Sequence, residues 1–263
     1  MGNYRHHPAH PAKRGGDFVL SPYGLDIIEN CQTCQMRCER LFCDLSPEVL
    51  QAFEAVKCAT AYPKGAVLFA EGQMPSAIFV LCQGRVKMSV CAGDGKILLV
   101  RIAEPGEVLG LSATVSGQPY ELTAETVEPS QVNLVKRHDL LRFLKDHPEA
   151  CFNVAQQLSE TFRTVCKEVR VLGLSRTAGQ RLAKLLLEWS NEDREVSKAG
   201  YCLELTLTQE EIGQMIGTSR ETVIRTLADL KKRRIVEGQG STLVIRNRSG
   251  LLAIAGLRQN RVN

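Results

Sequence analysis

Hydrophobic residues in the first half of the chain fall into short runs separated by turn-forming residues. Six runs of five to eight residues lie between about Tyr62 and Val135, bounded by Gly, Pro, Asp or Ser, and such runs predict strands. Gly93, Asp94 and Gly95 separate two of the runs and predict a hairpin, because these residues tolerate positive φ. Many short antiparallel strands in about seventy residues favour a β-roll or jelly-roll barrel.

A longer apolar repeat with helical spacing follows the strands. Beginning at Cys151, apolar residues recur at alternating intervals of four and three residues. This 3.5-residue period predicts a long helix that pairs with a second helix as a coiled coil; packing of the helix on its own barrel is the alternative. The predicted dimer interface consists of Ala155, Leu158, Phe162, Val165, Val169 and Leu172.

Two short helices joined by a tight turn are predicted between residues 206 and 232. Thr208, followed three residues later by Glu211, forms the capping-box pattern of a helix start. Gly217 supplies the sharp turn, where a residue without Cβ is accommodated most easily. Thr218 or Ser219 then caps the second helix. This arrangement predicts a helix-turn-helix.

The N-terminal half of the second helix carries side chains suited to base edges. Arginine matches guanine O6 and N7 with two hydrogen bonds, and glutamate accepts one from cytosine N4. Arg220 and Glu221 therefore suit a G·C step, and Arg225 lies one turn further on. The predicted DNA-contacting residues are Thr208, Ser219, Arg220, Glu221, Thr222, Ile224 and Arg225.

Positive charge is concentrated in the C-terminal third of the chain. Residues 176–263 contain 15 Lys and Arg against 10 Asp and Glu, although the formal net charge of the whole chain is only +4. Residues 231–234 are all basic and suit DNA phosphates; a solvated helix end is the alternative. A Gly-rich turn between two apolar runs in residues 235–247 predicts a wing. The predicted partner of this winged helix-turn-helix is double-stranded DNA.

Ten cysteines are many for a chain of 263 residues. Cys31, Cys34, Cys38 and Cys43 lie within thirteen positions. Such a set suits a [4Fe-4S] cluster, a zinc ion or reversible thiol chemistry, and a segment without any metal is the fourth possibility. The remaining six are predicted to be small core residues: Cys58, Cys82, Cys91, Cys151, Cys166 and Cys202.

Several functional classes are disfavoured by composition and pattern. No stretch approaches the roughly 18 apolar residues of a membrane helix, and no apolar segment follows the charged N-terminus as in a secretory signal. We therefore expect a cytoplasmic protein without a membrane partner. We expect no enzyme, because neither a Gly-rich phosphate loop nor a nucleophile elbow is present in the sequence.

The sequence resembles the CRP/FNR superfamily of bacterial regulators from about Cys31 to Asn247. The resemblance is carried by PGEVLG at Pro105–Gly110, by the long helix, and by IGxxxGxSRETVxRxL at Ile212–Leu227. It implies an α+β fold with an N-terminal antiparallel β-roll like a cyclic-nucleotide-binding domain, a long dimerisation helix and a C-terminal winged helix-turn-helix. It also implies a homodimer that binds palindromic promoter sites, with RNA polymerase as a further partner.

The resemblance divides between two branches of the superfamily. Arg220, Glu221 and Arg225 match the base-contacting positions of the cyclic-AMP branch, which implies a TGTGA-like half-site, although Ile224 departs from both branches. Leu111 replaces that branch's ribose-binding glutamate, and Tyr120 with Glu121 replaces its phosphate-binding Arg-Ser pair. We therefore expect no cyclic AMP binding.

The cysteines resemble the anaerobic branch, in which a cysteine run at this place holds an oxygen-labile [4Fe-4S] cluster. That branch takes its fourth ligand from within the barrel, where this chain has Asn133. Cys43 would then have to serve as the fourth ligand in place of a residue of the barrel. The ligand set would be wholly local and consist of Cys31, Cys34, Cys38 and Cys43. We expect this segment to sense oxygen or redox state; the alternatives are a zinc or thiol sensor and a cofactor-free regulator that responds to a small molecule in the β-roll.

The predicted organisation has six parts. They are a disordered tail over residues 1–30, the cysteine cluster over 31–44, the β-roll over 45–147, the dimerisation helix over 148–173, the winged helix-turn-helix over 174–250 and a C-terminal tail over 251–263.

Overall fold

The computed structural model describes residues 22–34, 41–174, 177–192, 196–197, 200–205, 207–238 and 242–257. An antiparallel β-roll forms the first half. Its strands are β1 (Lys57–Tyr62), β2 (Val67–Phe69), β3 (Ala77–Gln83), β4 (Val86–Cys91), β5 (Ile97–Ala103), β6 (Val108–Leu109), β7 (Thr123–Thr126) and β8 (Ser130–Lys136). They pair as two four-stranded sheets with the orders β1-β8-β3-β6 and β2-β7-β4-β5.

All six strands predicted from the apolar runs are present, and the predicted hairpin joins β4 to β5. Its turn is closed by the Ala92 N–H, which donates to the Lys96 carbonyl at 2.8 Å, and Gly95 has the left-handed φ of +82°. The apolar runs do not predict strand β1, because most of its residues are half-buried without apolar–polar alternation. A strand of this kind gives no period-2 signal.

Helices cover one side of the roll. They are α1 (Pro47–Val56), α2 (Leu111–Ser116), α3 (Arg137–Asp146) and α4 (Pro148–Leu174). Pro47 is the first residue of α1. Ser46 does not cap α1 with its side chain; its hydroxyl donates to Glu149 Oε2 at 2.8 Å instead. The rings of Phe42 and Phe53 stack at 4.8 Å in the core beneath these helices, so packing links the cysteine segment to α1.

The first turns of helix α4 pack on the roll, and the predicted dimer seam along α4 stays a prediction. Ala150 and Val154 are buried, and Leu158 packs partly buried against the same core cluster of the roll. Leu158, a residue of the predicted seam, is therefore partly covered by its own domain. The apolar side chains that α4 leaves exposed are those of Phe152, Ala155, Phe162, Val165 and Val169; the side chain of Leu172 lies outside the described residues.

The predicted N-terminal tail is wrong for residues 22–30. A short 3-10 helix spans Pro22–Gly24. The Ile28 N–H donates to Gln131 Oε1 at 2.8 Å, and Gln131 Nε2 donates to the Ile28 carbonyl at 2.7 Å. Because the Gln131 side chain on β8 is buried, this pair of hydrogen bonds fastens the segment before the cysteines to the roll.

Within the described residues, the C-terminal domain combines four helices with a four-stranded sheet. Its elements are α5 (Ala178–Glu192), β9 (Val196–Ser197), β10 (Gly200–Glu204), α6 (Gln209–Met215), α7 (Arg220–Lys232), β11 (Val236–Glu237), β12 (Thr242–Ile245) and α8 (Arg248–Ala255). The strands pair in the order β11-β12-β10-β9. Leu251 and Ala255 of α8 are buried in the core of this domain, so the tail predicted from residue 251 onwards is wrong as far as Ala255.

The two domains meet where α6 contacts β5. A cavity of about 760 Å³ lies between the roll, α4 and the C-terminal domain, and its lining includes Arg101, Glu121 and Trp189. Among the described residues, no helix is long and apolar enough to cross a membrane.

Candidate nucleic-acid interface and cysteine site

The first helix of the predicted helix-turn-helix begins with the predicted capping box. Thr208 Oγ1 accepts from the Glu211 N–H at 3.2 Å, and Glu211 Oε2 accepts from the Thr208 N–H at 2.8 Å. This reciprocal pair satisfies two of the backbone donors that a helix start leaves without partners. The Thr208 hydroxyl also donates to Glu211 Oε2 at 2.9 Å, so the box holds this exposed side chain in place.

The turn between α6 and α7 depends on two glycines. Gly217 has φ of +61°, a conformation that glycine adopts at little cost. A Cβ on Gly213 would lie 2.8 Å from the Thr218 carbonyl oxygen, so glycine lets the start of α7 pass close to α6. Arg181 of α5 donates to the Ile216 carbonyl at 2.5 Å and fixes the turn from the other side.

Helix α7 is anchored by its cap and by one buried stripe. The Ser219 hydroxyl accepts from the Thr222 N–H at 3.3 Å, which confirms Ser219 as the cap and not Thr218. Val223, Leu227 and Leu230 are buried in the domain core. The stripe leaves the opposite face of α7 to the solvent, as its spacing predicts.

The predicted base-contacting residues share that exposed face. Arg220, Glu221 and Arg225 are exposed, and Ile224 between them is 41% exposed. Thr222 Oγ1 accepts from Arg225 Nη2 at 3.4 Å. Hydrogen bonds from the backbone N–H of Glu221 and from Ser219 hold the pKa of the Glu221 carboxyl below its usual value. Glu221 is therefore ionised at neutral pH and available as a hydrogen-bond acceptor.

A basic helix end and a wing flank the exposed face of α7. Lys231 to Arg234 are all exposed, and Asp229 neutralises part of this charge through an ion pair with Arg233 at 3.6 Å. The predicted wing is formed by β11 and β12, with Arg246 bonded to Glu237 at 2.8 Å across it. Helix, basic end and wing make a surface that suits a DNA groove and its phosphates.

The cysteine segment forms a second candidate site, and the structure adds a member to it. Cys31, Cys34 and Cys43 line one small cavity of about 30 Å³ together with Cys82, which the sequence interpretation placed among the core cysteines. Cys38 lies outside the described residues. The signal for Cys82 is absent from the sequence pattern because it lies in an apolar strand 39 residues after Cys43.

The prediction that the scattered cysteines are core residues is wrong for four of the six. An apolar run does not by itself bury each of its members, because a strand or helix at the surface keeps one face in solvent. The exposed thiols are those of Cys58, Cys91, Cys151 and Cys166.

The thiols of the cavity share one electrostatic environment. Burial, together with the nearby Cys31 and Cys34, raises the pKa of Cys82 to about 12. Burial also raises the pKa of Cys31, against the opposing charge of Lys57. Both thiols are therefore protonated at neutral pH, and a metal that binds there has to displace protons.

Comparisons with known proteins agree with both domains. The family model of the cyclic nucleotide-binding domain matches residues 59–147, and that of the Crp-like helix-turn-helix domain matches residues 180–254. The two occur in this order on either side of the long helix α4. The chain belongs to the CRP/FNR family of transcription regulators. Proteins of this family are DNA-binding regulators and not enzymes.

Relatives in the family cover most of the chain. The CRP-like cAMP-activated global transcriptional regulator of Mycobacterium tuberculosis is 28% identical over 207 residues, which are 78% of this chain and 91% of that protein. The anaerobic regulatory protein of Bacillus subtilis is 23% identical and shares 76% of this chain and 84% of its own length.

Solved structures confirm the fold. FixK2 from Bradyrhizobium japonicum is 28% identical, with a TM-score of 0.64 over 76% of this chain and 97% of its own. A double mutant of CooA from Carboxydothermus hydrogenoformans is 23% identical, with a TM-score of 0.69 over 84% of this chain and 99% of its own.

Apolar packing and an acidic group occupy the part of the roll around Gly110 and Tyr120. The buried Tyr120 ring stacks on Phe69 at 4.0 Å, and its hydroxyl donates to the Ala77 carbonyl at 2.6 Å. A Cβ on Gly110 would lie 2.6 Å from the Tyr120 ring. The Glu121 carboxylate accepts from Ser112 at 2.8 Å. A carboxylate at this place repels an anionic phosphate.

The donor chemistry of the cysteine cavity fits a thiolate-bound metal. Four cysteines line it, and soft thiolates are the ligands of iron–sulfur clusters and of structural zinc. The Asn133 Oδ1 atom is buried there without a hydrogen-bond partner among the described residues. In the described part of the chain no three Cys, His, Asp or Glu side chains converge on a single ion position, so metal binding requires the thiols to rearrange.

Proposed function

We propose that the protein is a homodimeric regulator that binds palindromic promoter sites with TGTGA-like half-sites and acts there on RNA polymerase. The observation that supports this most directly is the exposed Arg220, Glu221 and Arg225 at the capped start of α7. Two arginines and an ionised glutamate match guanine and cytosine edges in the major groove. Two copies of α7 would enter successive major grooves about 34 Å apart.

The exposed apolar stripe on α4 supports the homodimer. Phe152 is 65% exposed, Phe162 70% and Val169 62%, and they lie ten and seven residues apart, as on one coiled-coil seam. Exposed large apolar side chains in a row mark an interaction surface. A second copy of the same helix would bury this stripe and place the two C-terminal domains side by side.

A DNA titration tests this proposal. We expect the protein to bind a palindromic duplex with two TGTGA-like half-sites about a thousandfold or more tighter than a scrambled duplex at the same salt concentration. Saturating cyclic AMP should leave the Kd unchanged, because Leu111 and Glu121 replace groups that hold the nucleotide. Fluorescence anisotropy measures the Kd for each duplex and the effect of cyclic AMP on it. Equal affinity for the two duplexes would contradict the proposed half-site, and a tighter Kd with cyclic AMP would contradict the proposed loss of nucleotide control.

We further propose that the cysteine segment is the sensor and holds an oxygen-labile [4Fe-4S] cluster. Its supporting observation is the connection between this segment and the dimer helix. Asn153 of α4 donates to the Leu41 carbonyl at 3.2 Å. The Ser46 N–H donates to Glu149 Oε1 of α4 at 2.8 Å. A change of conformation at the cysteines would thus reach α4 and, through it, the spacing of the two DNA-binding domains.

Anaerobic purification tests the sensor. We expect a brown protein with absorbance near 400 nm that bleaches in air, with bound iron and acid-labile sulfide. A colourless protein that contains zinc would indicate the zinc or thiol sensor. A colourless, zinc-free protein would refute a metal sensor and favour a small molecule as the signal, for which the cavity of about 760 Å³ has the size of a ligand pocket.

A further inference from the structure

Cys82 is placed by the fold beside the cysteine segment. It lies near the end of β3, and together with Val80, two residues earlier on the same strand, it lines the cavity that Cys31, Cys34 and Cys43 also line. Strand β3 is held between β8 and β6 in the first sheet, and its pairing with β8 is irregular between Leu81 and Gln83, where Cys82 lies. Cys82 is therefore a thiol within a sheet of the roll, whereas Cys31 and Cys34 lie in a loop.

Asn133 provides the second observation that points to a ligand. It lies on β8 opposite Val80 and is only 2% exposed. Its Nδ2 donates to Cys31 Sγ at 3.6 Å, but its Oδ1 has no hydrogen-bond partner within the described part of the chain. A buried acceptor without a partner is costly. An electropositive partner in the cavity, such as a metal ion or a water bound to one, would satisfy it.

The cysteine segment is held against this position by hydrogen bonds that do not involve the thiols. The Cys31 N–H donates to Glu54 Oε1 at 2.5 Å, and Gln83 Nε2 donates to the Asp26 carbonyl at 2.7 Å. With the hydrogen bonds that Gln131 makes to the backbone before the cysteines, these contacts fasten the segment to the roll. The thiols are thus brought to Cys82 by protein contacts alone, which lowers the ordering cost of binding a metal.

We infer that Cys82 is the barrel-side thiolate ligand of a metal centre to which Cys31, Cys34 and Cys43 also contribute. This inference rests on the proposed cysteine sensor and adds Cys82 to its thiols. The shared chemistry is a four-thiolate metal, either an iron–sulfur cluster or zinc. The cavity of about 30 Å³ has to widen before it can hold a cluster. To bind a zinc ion instead, the cysteine sulfurs have to move closer together.

Metal content of single cysteine variants tests the inference. Wild type, Cys82→Ser and Cys58→Ser are each loaded anaerobically with iron and sulfide, and separately with zinc, and then desalted. We expect Cys82→Ser to lose about tenfold or more of the affinity for the metal that wild type binds, because removing a ligand costs at least as much as removing an outer partner. Cys58→Ser should retain it. Cys58 is the matched control because it is exposed on neighbouring β1.

A second measurement avoids dependence on the folding of a variant. In wild type, alkylation of each cysteine is followed by mass spectrometry in moderate urea, with and without the bound metal. We expect metal to protect Cys82 together with Cys31, and to leave the labelling of Cys58 unchanged. Circular dichroism and the Tm of Cys82→Ser then show whether lost metal reflects a lost ligand or a lost fold.

The outcomes separate this inference from the proposals on which it rests. Full metal content in Cys82→Ser overturns Cys82 as ligand and leaves the cysteine sensor standing. A wild type that takes up neither metal overturns both the sensor and this inference. Neither result affects the proposed DNA recognition, which the duplex titration tests independently.

Discussion

Replacing Phe162 with glutamate is expected to convert the dimer into monomers and to weaken binding to a palindromic site by roughly 100-fold or more, because the linked second half-site is lost. Phe162 is 70% exposed in the single chain, and burial of a phenylalanine contributes about 1.5–3 kcal/mol per copy. In a two-fold dimer the substitution also places two carboxylates face to face. Analytical ultracentrifugation measures the oligomeric state, and anisotropy measures the binding.

Thr164→Glu is the matched control for this substitution. Thr164 is exposed on the same helix, and two residues of an α-helix correspond to a rotation of about 200°. The same charge is therefore added on the side away from the stripe, and the variant should remain dimeric. A Phe162→Glu protein that stays dimeric and binds the palindrome normally would show that the stripe is not the interface.

Replacing Arg220 with alanine is expected to cost about 1–3 kcal/mol of DNA binding, which corresponds to roughly 5- to 150-fold in Kd, and to abolish preference for guanine at one position of each half-site. The Arg220 side chain is exposed at the first turn of α7, where it contributes nothing to the domain core. The loss should therefore appear in DNA affinity and not in the Tm. Titration of duplexes that carry each base at that position measures the discrimination.

Two further variants separate base contact from charge. Arg220→Lys keeps the charge but loses the planar pair of donors. The preference for guanine should therefore fall, while the salt dependence of DNA binding stays the same. Lys231→Ala should weaken binding to all duplexes alike and reduce the salt slope by about one. If Arg220→Ala behaves like Lys231→Ala, then Arg220 contacts phosphate and the assignment to guanine is wrong.

Much of the C-terminal domain could be predicted because its signals are local. The capping box of Thr208 and Glu211, the cap at Ser219 and the turn at Gly217 each depend on residues within a few positions of one another. The final helix could not be predicted in this way, although Leu251 and Ala255 are buried. Residues 251–255 are all apolar, and periodicity cannot assign such a short continuous run to a helix or a strand.

Helix α4 shows what a regular pattern leaves open. Its apolar spacing predicts a seam from Ala155 onwards, but the spacing does not say what covers each side chain. In the structure the roll buries Val154 and partly covers Leu158, whereas Phe152 and Phe162 are exposed. Only the position of the roll against the first turns of α4 decides which side chains are left for a second copy.

The amino-acid sequence by itself determined the family, the order of the domains and the exposed Arg220, Glu221 and Arg225, since spacing along one helix decides what that helix presents. The tertiary structure alone decided which cysteines meet. Cys82 is 39 residues away from Cys43 and lies in an apolar strand, where a thiol and a small core side chain look alike. Sheet pairing beside Asn133 and the contacts of residues 26–31 with the roll bring it to the others, and no local pattern encodes such a meeting.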